Sequence, residues 1–350
     1  MNSDLVELQQ SVRQVLAGSA VPADEETTWP LLAELGWLLV SVPEELGGLG
    51  QGLPGACVLQ LELGRRLAAV PFLPAMLAID AVCQSGVADR ESWVERLTSG
   101  DYVAAPLAES AISLEQTGAG EARLTGLASA VQSADRASHA LVWTSAGDCV
   151  ALVPLGQPGV ELTQRPTWDT TRRLFDLRLA GVEVGERLVL AQGAAAQAVV
   201  RRLSTLRDFA LAADAVGGAT ALLDLTVEHL QMRRQFGRPL ALFQALKHRC
   251  ADLKTLIAAA EALLLDSLGR LGDSGTDAEA ELKGKTARYL ACSTYAKVAE
   301  EALQLHGGIG MASEHQCHLF LKRALLDEQL GRQADRYELD IADGLLARLA

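Results

Sequence analysis

Residues 232–253 read MRRQFGRPLALFQALKHRCADL, and residues 300–324 read EEALQLHGGIGMASEHQCHLFLKRA. In the first stretch a helical pattern that starts near Leu203 is expected to end at Phe236-Gly237, because glycine is the usual residue just past a helix end. That puts Arg233 in the last turn, where its planar fork could grip a phosphate bidentately. Gln235 and Gln244 offer amide groups, and Phe236 a flat apolar face. A cationic helix end that merely complements its own dipole has the same sequence. In the second stretch Gln304 again brings an amide, and Gly307 and Gly308 let the backbone approach a ligand or take positive φ. This glycine run is not GxGxxG after a strand, so it is not a dinucleotide fingerprint.

The chain around these stretches has 350 residues, enough for two or three packed units. Apolar residues make up 49% and charged ones 21%. The net charge of -13 argues against a nucleic-acid binder, since phosphate-backbone recognition needs a basic field. No run of about 20 apolar residues calls for a membrane span. The scattered cysteines (Cys57, Cys83, Cys149, Cys250, Cys292 and Cys317) lack metal-ligand spacing, and free thiols in a cytoplasmic setting are expected. His315 and His318 are close, but nothing nearby completes a metal site, so none is expected.

Three textures follow one another, giving an α+β chain. Residues 1–101 are helical in period, with LVELQQSVRQVL, WPLLAELGWLLV and ACVLQLELGRRLAAV placing apolar residues three and four apart. SVPEELGGLGQGLPG is a turn between helices. Residues 102–194 hold short strand-like runs such as HALVWTS, CVALVPL, GVELTQ and LFDLRLAGVEV, the pattern of a small barrel or sandwich. Residues 195–350 return to long helices suited to bundle packing, broken near GDSGTDAE and HGGIG.

Taken together, RRQFGRPLALFQALKHRCADL, EEALQLHGGIGMASEHQCHLFLKRA and WPLLAELGWLLVSVPEELGGLG closely resemble the acyl-CoA dehydrogenase family. The resemblance spans nearly the whole chain. It implies an N-terminal helical domain, a middle β-domain and a C-terminal four-helix bundle. It also implies FAD and removal of two hydrogens from Cα and Cβ of an acyl-CoA thioester. Carried over residue by residue, it assigns Arg233, Gln235, Phe236 and Gln244 to the pyrophosphate and adenosine of a neighbouring subunit's FAD. Gln304, Gly307 and Gly308 match the second adenosine-side strip. An oligomer follows from that assignment.

The same resemblance exposes departures. The reaction needs a carboxylate against the substrate α-carbon, with burial raising its pKa toward the working pH. The usual glutamate seat falls on Gly331 in LDEQLGRQADR, and the seat of a second branch falls on Arg207 in STLRDFALAADAVGG. Asp208 beside that seat and Asp214, seven residues on, are candidate substitute bases; Glu328 is a third. Asp214 is read at least as readily as an arginine partner. In the middle region APLAESAISLEQ lacks a Pro-Gly turn, and Ala130 stands where an aromatic flavin contact is expected. PTWDTTRRL resembles a stretch of shorter family members that act in heteromeric complexes. The expectation is one subunit of an α2β2 acyl-CoA dehydrogenase acting on a bulky thioester such as a steroid side-chain CoA. An electron-transfer flavoprotein is the expected electron acceptor. A homo-oligomer using Asp214 or Asp208, and a non-catalytic scaffold, are the alternatives.

Overall fold

The computed structural model describes residues 3–118, 121–271, 278–332 and 334–347. Five helices come first: α1 (Ser3–Leu16), α2 (Glu25–Glu34), α3 (Gly52–Arg65), α4 (Phe72–Cys83) and α5 (Arg90–Thr98). Asp24 caps α2 by accepting the Thr27 N–H at 2.8 Å, satisfying one of the free donors of the first turn. The WPLLAELGWLLV run is not one helix. Gly36, at φ +69°, turns the chain into a short 3-10 segment, Trp37–Leu39, whose Trp37 and Leu38 still bury.

Strands follow: β1 (Val103–Pro106), β2 (Ser110–Gly118), β3 (Glu121–Gln132), β4 (His139–Trp143), β5 (Cys149–Pro154), β6 (Val160–Arg165), β7 (Leu174–Val184) and β8 (Val189–Gln192). They pair in the order β6-β7-β3-β1-β4-β5-β8, with β2 also on β3. β1 and β4 run parallel, while β1, β2 and β7 pair antiparallel with β3. One face of the sheet carries its own apolar cluster, including Ile112, Leu124, Val142, Val153 and Leu177. The other joins the core of the N-terminal helices through Val103, Leu141, Val150 and Leu152.

The C-terminal helices are α6 (Gly193–Met232), α7 (Gln244–Gly269), α8 (Ala278–His306), α9 (Cys317–Gln329) and α10 (Ala334–Leu346). The expected break at GDSGTDAE falls largely on residues 272–277, outside the described residues. The 40-residue α6 is the spine. It is long and apolar enough to cross a membrane, yet 72% of its most apolar window is buried against the rest of the fold. Its AVGG segment explains the tight packing. A Cβ on Gly217 would sit 2.0 Å from the Leu61 carbonyl oxygen of α3, and one on Gly218 2.5 Å from the Tyr295 hydroxyl of α8. The architecture is α+β: helices, a central sheet, then helices.

One expectation is corrected here. Phe236-Gly237 does not end α6, which stops at Met232. Instead β9 (Arg234–Gln235) and β10 (Arg238–Pro239) form a small antiparallel hairpin. Phe236 (φ 53°) and Gly237 (φ 77°) are its two-residue turn. Two successive positive-φ residues match the twist of the flanking strands, so the glycine serves a hairpin and not a helix cap.

Candidate functional site

The two stretches that opened the sequence analysis meet in space. The end of α6, the hairpin, the start of α7, the end of α8 and the turn Gly307–Met311 line a cleft of about 620 Å³. Arg233, Gln235, Gln304, Gly307 and Gly308 line its wall, as do His229, Arg249 and His306. Phe236 and Gln244 do not. Phe236 is 88% exposed at the hairpin tip, its ring edge-on to Phe243, and Gln244 is exposed at the start of α7. Gly307 needs its φ of +66°, and a Cβ on Gly308 would meet open space.

The cleft is locally cationic on an acidic chain. Among the described residues Arg233, Arg234 and Arg238 have no carboxylate partner, and Arg238 stacks on Phe243 at 4.0 Å. Arg249 is spent on Glu301. Exposed guanidinium groups beside free amides suit an anionic, hydrogen-bonding ligand such as a nucleotide diphosphate. The donors present therefore fit the diphosphate arm of a dinucleotide.

A feature that spacing could not show adjoins this wall, where His229 and His306 line the cleft. His229, His306 and His315 come from the ends of α6 and α8 and the connection before α9, and their ring nitrogens lie within 4.8 Å of one another. Burial is the main cause that holds all three below the ordinary imidazole range, so they are neutral near pH 7. The sequence spacing shows no such grouping, because the three are close only in the fold.

Neither seat for a catalytic base offers a carboxylate. Gly331 sits at φ 79°, and its N–H donates to the Leu107 carbonyl at 2.6 Å, next to a bridge with Ala108. A Cβ there would come within 2.4 Å of the Tyr337 hydroxyl. That hydroxyl donates to Asp208 Oδ1 at 2.8 Å, and burial together with the Asp208 charge keeps it protonated by pushing its pKa up. Arg207 pairs with Asp208 at 3.2 Å. With Arg332, which pairs with Glu109, Arg207 lines a pocket of about 310 Å³ between sheet and helices. Arg288 lies over the Tyr337 ring at 4.0 Å and donates to the carbonyls of Asp327, Glu328 and Leu330. The α9–α10 connection is thereby clasped to the sheet. Ala130, 3% exposed, shares a buried cluster with Leu107, Leu174 and Leu330, so the place expected for an aromatic flavin contact is filled by apolar packing.

Asp214 faces no solvent. Its 1%-exposed carboxylate accepts from Gln60 at 2.8 Å, Arg172 at 2.9 Å and Arg323 at 3.2 Å. Burial alone would raise its pKa, but the two guanidinium groups outweigh that and hold it below the ordinary value. The node extends to Asp169, which accepts from Arg323 at 2.8 Å, and to Asp327, which accepts from Arg172. Three carboxyls thus face two cations. Burial, then the Asp214 charge, pushes Asp327 upward, and its free Oδ2 is the natural proton site. Asp169, Thr171 and Arg172 come from PTWDTTRRL, so this stretch bolts the sheet to the bundle. Glu328, the third candidate, is half-buried, and burial raises its pKa.

Residues 3–101 match the acyl-CoA dehydrogenase N-terminal domain and residues 196–336 its C-terminal domain. The chain is 32% identical over 335 residues to acyl-CoA dehydrogenase IpdE2 of Mycobacterium tuberculosis, covering 92% of this chain and 91% of that one. It belongs to the acyl-CoA dehydrogenase family. These are oxidoreductases acting on the CH–CH bond of acyl-CoA thioesters. Among solved structures it is similar to a chain of the ChsE4–ChsE5 complex of M. tuberculosis, with a TM-score of 0.88, 26% identity, and 99% and 98% of the two chains covered. It is also similar to a steroid acyl-CoA dehydrogenase, Tcur3481–Tcur3483, with a TM-score of 0.87, 28% identity and the same coverage. Butyryl-CoA dehydrogenase of Megasphaera elsdenii shares the fold at 18% identity.

Proposed function

We propose that this chain is one subunit of an α2β2 acyl-CoA dehydrogenase. It lends Arg233, Gln235, Gln304 and the Gly307-Gly308 turn to the diphosphate and adenosine side of a FAD site completed by a second family member. The partner supplies the flavin-ring contacts and the base. The carrying observation is the clasp at Gly331: the base seat is a positive-φ glycine under the Tyr337 hydroxyl, hydrogen-bonded to Leu107. The second seat holds Arg207, and a guanidinium cannot take an α-proton. Asp208 and Asp214 are both buried in ion pairs, which disfavours the homo-oligomeric reading in which one of them is the base. When bound, FAD supplies the hydride acceptor at its N5. This chain's own groups hold the diphosphate by charge and the glycine turn by close backbone approach.

The partner, the bulky substrate such as a steroid side-chain CoA, and an electron-transfer flavoprotein as acceptor all belong to this proposal. The names of the solved structures similar to this chain support it, since one is a two-protein complex and another is called a steroid enzyme. The test is flavin absorbance per chain, measured on the chain alone and after co-expression with a second family member from the same genome. About half a FAD per chain, only on co-expression, is expected. One FAD per chain in the lone protein overturns the proposal. Arg233→Ala should strip flavin from the complex without dissociating it; full retention would remove the cross-interface role.

A further inference from the structure

We propose that His229, His306 and His315 form a binding site for a borderline divalent transition-metal ion of the zinc class. The inference does not depend on the flavin assignment, although His229 and His306 line the same cleft.

The geometry begins with His306. Its side chain is 5% exposed, and its Nδ1 is 2.8 Å from the Ala302 carbonyl oxygen. A carbonyl only accepts, so Nδ1 carries the proton and Nε2 keeps a lone pair. That Nε2 is buried with no hydrogen-bond partner, which is unfavourable unless something takes the pair. An Nδ1–H held by a backbone carbonyl is the support that metal-ligating histidines usually have, because it fixes the tautomer and the ring. His229 stacks on His306 with centroids 4.5 Å apart, and His315 meets it edge-on at 4.8 Å.

Three imidazole nitrogens within 4.8 Å are slightly too open for a bound ion. Zinc–nitrogen bonds of about 2.0–2.1 Å place tetrahedral donors roughly 3.4 Å apart. Binding requires the half-buried His229 to turn out of its stack on His306, and His315 to rotate inward, with the buried His306 as the fixed anchor. His315 has one bond to give up. Its Nδ1 accepts the Cys317 N–H at 3.1 Å, so binding through Nε2 shifts its proton to Nδ1 and releases that donor to water. No net proton is lost in that exchange. Imidazole donors without carboxylates select zinc, cobalt, nickel or copper over magnesium or calcium. His229 and His306 line the same cleft as Arg233, and a fourth position would be left to water or an anionic oxygen.

The experiment uses the untagged full chain, stripped with a chelator and free of flavin, titrated with Co²⁺ and then with competing Zn²⁺. One saturable Co²⁺ per chain, with visible bands of imidazole-bound cobalt displaced by one Zn²⁺, is expected. His306→Ala should weaken binding at least about tenfold. His229→Phe and His315→Phe, which change less buried rings and keep ring volume, should do the same and carry the test if His306→Ala does not fold. Absence of saturable binding overturns the site, and so does wild-type affinity in both Phe variants.

Discussion

At the scale of single residues, the buried charges separate two carboxyls that look alike in the sequence. Asp214 sits between Arg172 and Arg323 as a carboxylate, while Asp327 is placed to keep a proton. Asp214→Asn leaves two buried guanidinium groups short of charge and should cost about 3–5 kcal/mol in urea unfolding. Asp327→Asn keeps an acceptor toward Arg172 and a donor in place of the acid O–H, so it should cost about 1 kcal/mol or less. Equal losses would refute the proton assignment. A second prediction concerns pH. His229 and His306 have folded pKa values below their unfolded value of about 6.5, with burial as the main cause. Below that pH the unfolded chain binds protons that the folded chain does not, so stability is full above it and falls as pH drops toward the folded values. In chelator-stripped protein the melting temperature should therefore decline between pH 7.5 and 5.5, and His306→Gln should flatten the decline. In the sequence, an arginine pairing of Asp214 was one of two readings of an aspartate on an apolar helix; which arginines, the Asp327 proton and the histidine environment were not legible. The partners come from distant segments: Arg172 lies 42 and Arg323 109 residues from Asp214 along the chain.

At the scale of elements, periodicity located the helices and strands well, because burial on one face imposes it. It failed at turns. The Gly36 break in WPLLAELGWLLV and the Phe236-Gly237 hairpin both depend on left-handed backbone, which leaves no periodic trace. The absence of a carboxylate at Gly331 was legible; its reason was not, since Tyr337 of α10 carried no motif. The clasp makes that connection sensitive to a single methyl. Gly331→Ala meets both a positive φ and the Tyr337 hydroxyl, and should cost about 1–3 kcal/mol. Adding Tyr337→Phe should recover part of that loss by removing the clashing oxygen, although Asp208 then loses a donor. No recovery in the double variant would mean that backbone strain alone sets the cost.

At the scale of the whole molecule, the chain reads as a family fold without a carboxylate at either base seat and with an outward cleft kept open. The family and its three-part layout were legible because glycines, arginines and amides recur in fixed short stretches. The His229–His306–His315 grouping and the sheet-to-bundle node were not, because only the fold brings those segments together. The open cleft has a thermodynamic consequence. On the proposed reading flavin binds the assembled pair and neither subunit by itself, so mass action lets the cofactor tighten the assembly. At a hundred times its dissociation constant FAD adds about 2.7 kcal/mol to the pair alone. The complex should then melt at temperatures that climb with added FAD, while the lone chain's melting stays put. Cofactor supply would in that way decide how much of the heteromer exists at a given subunit concentration.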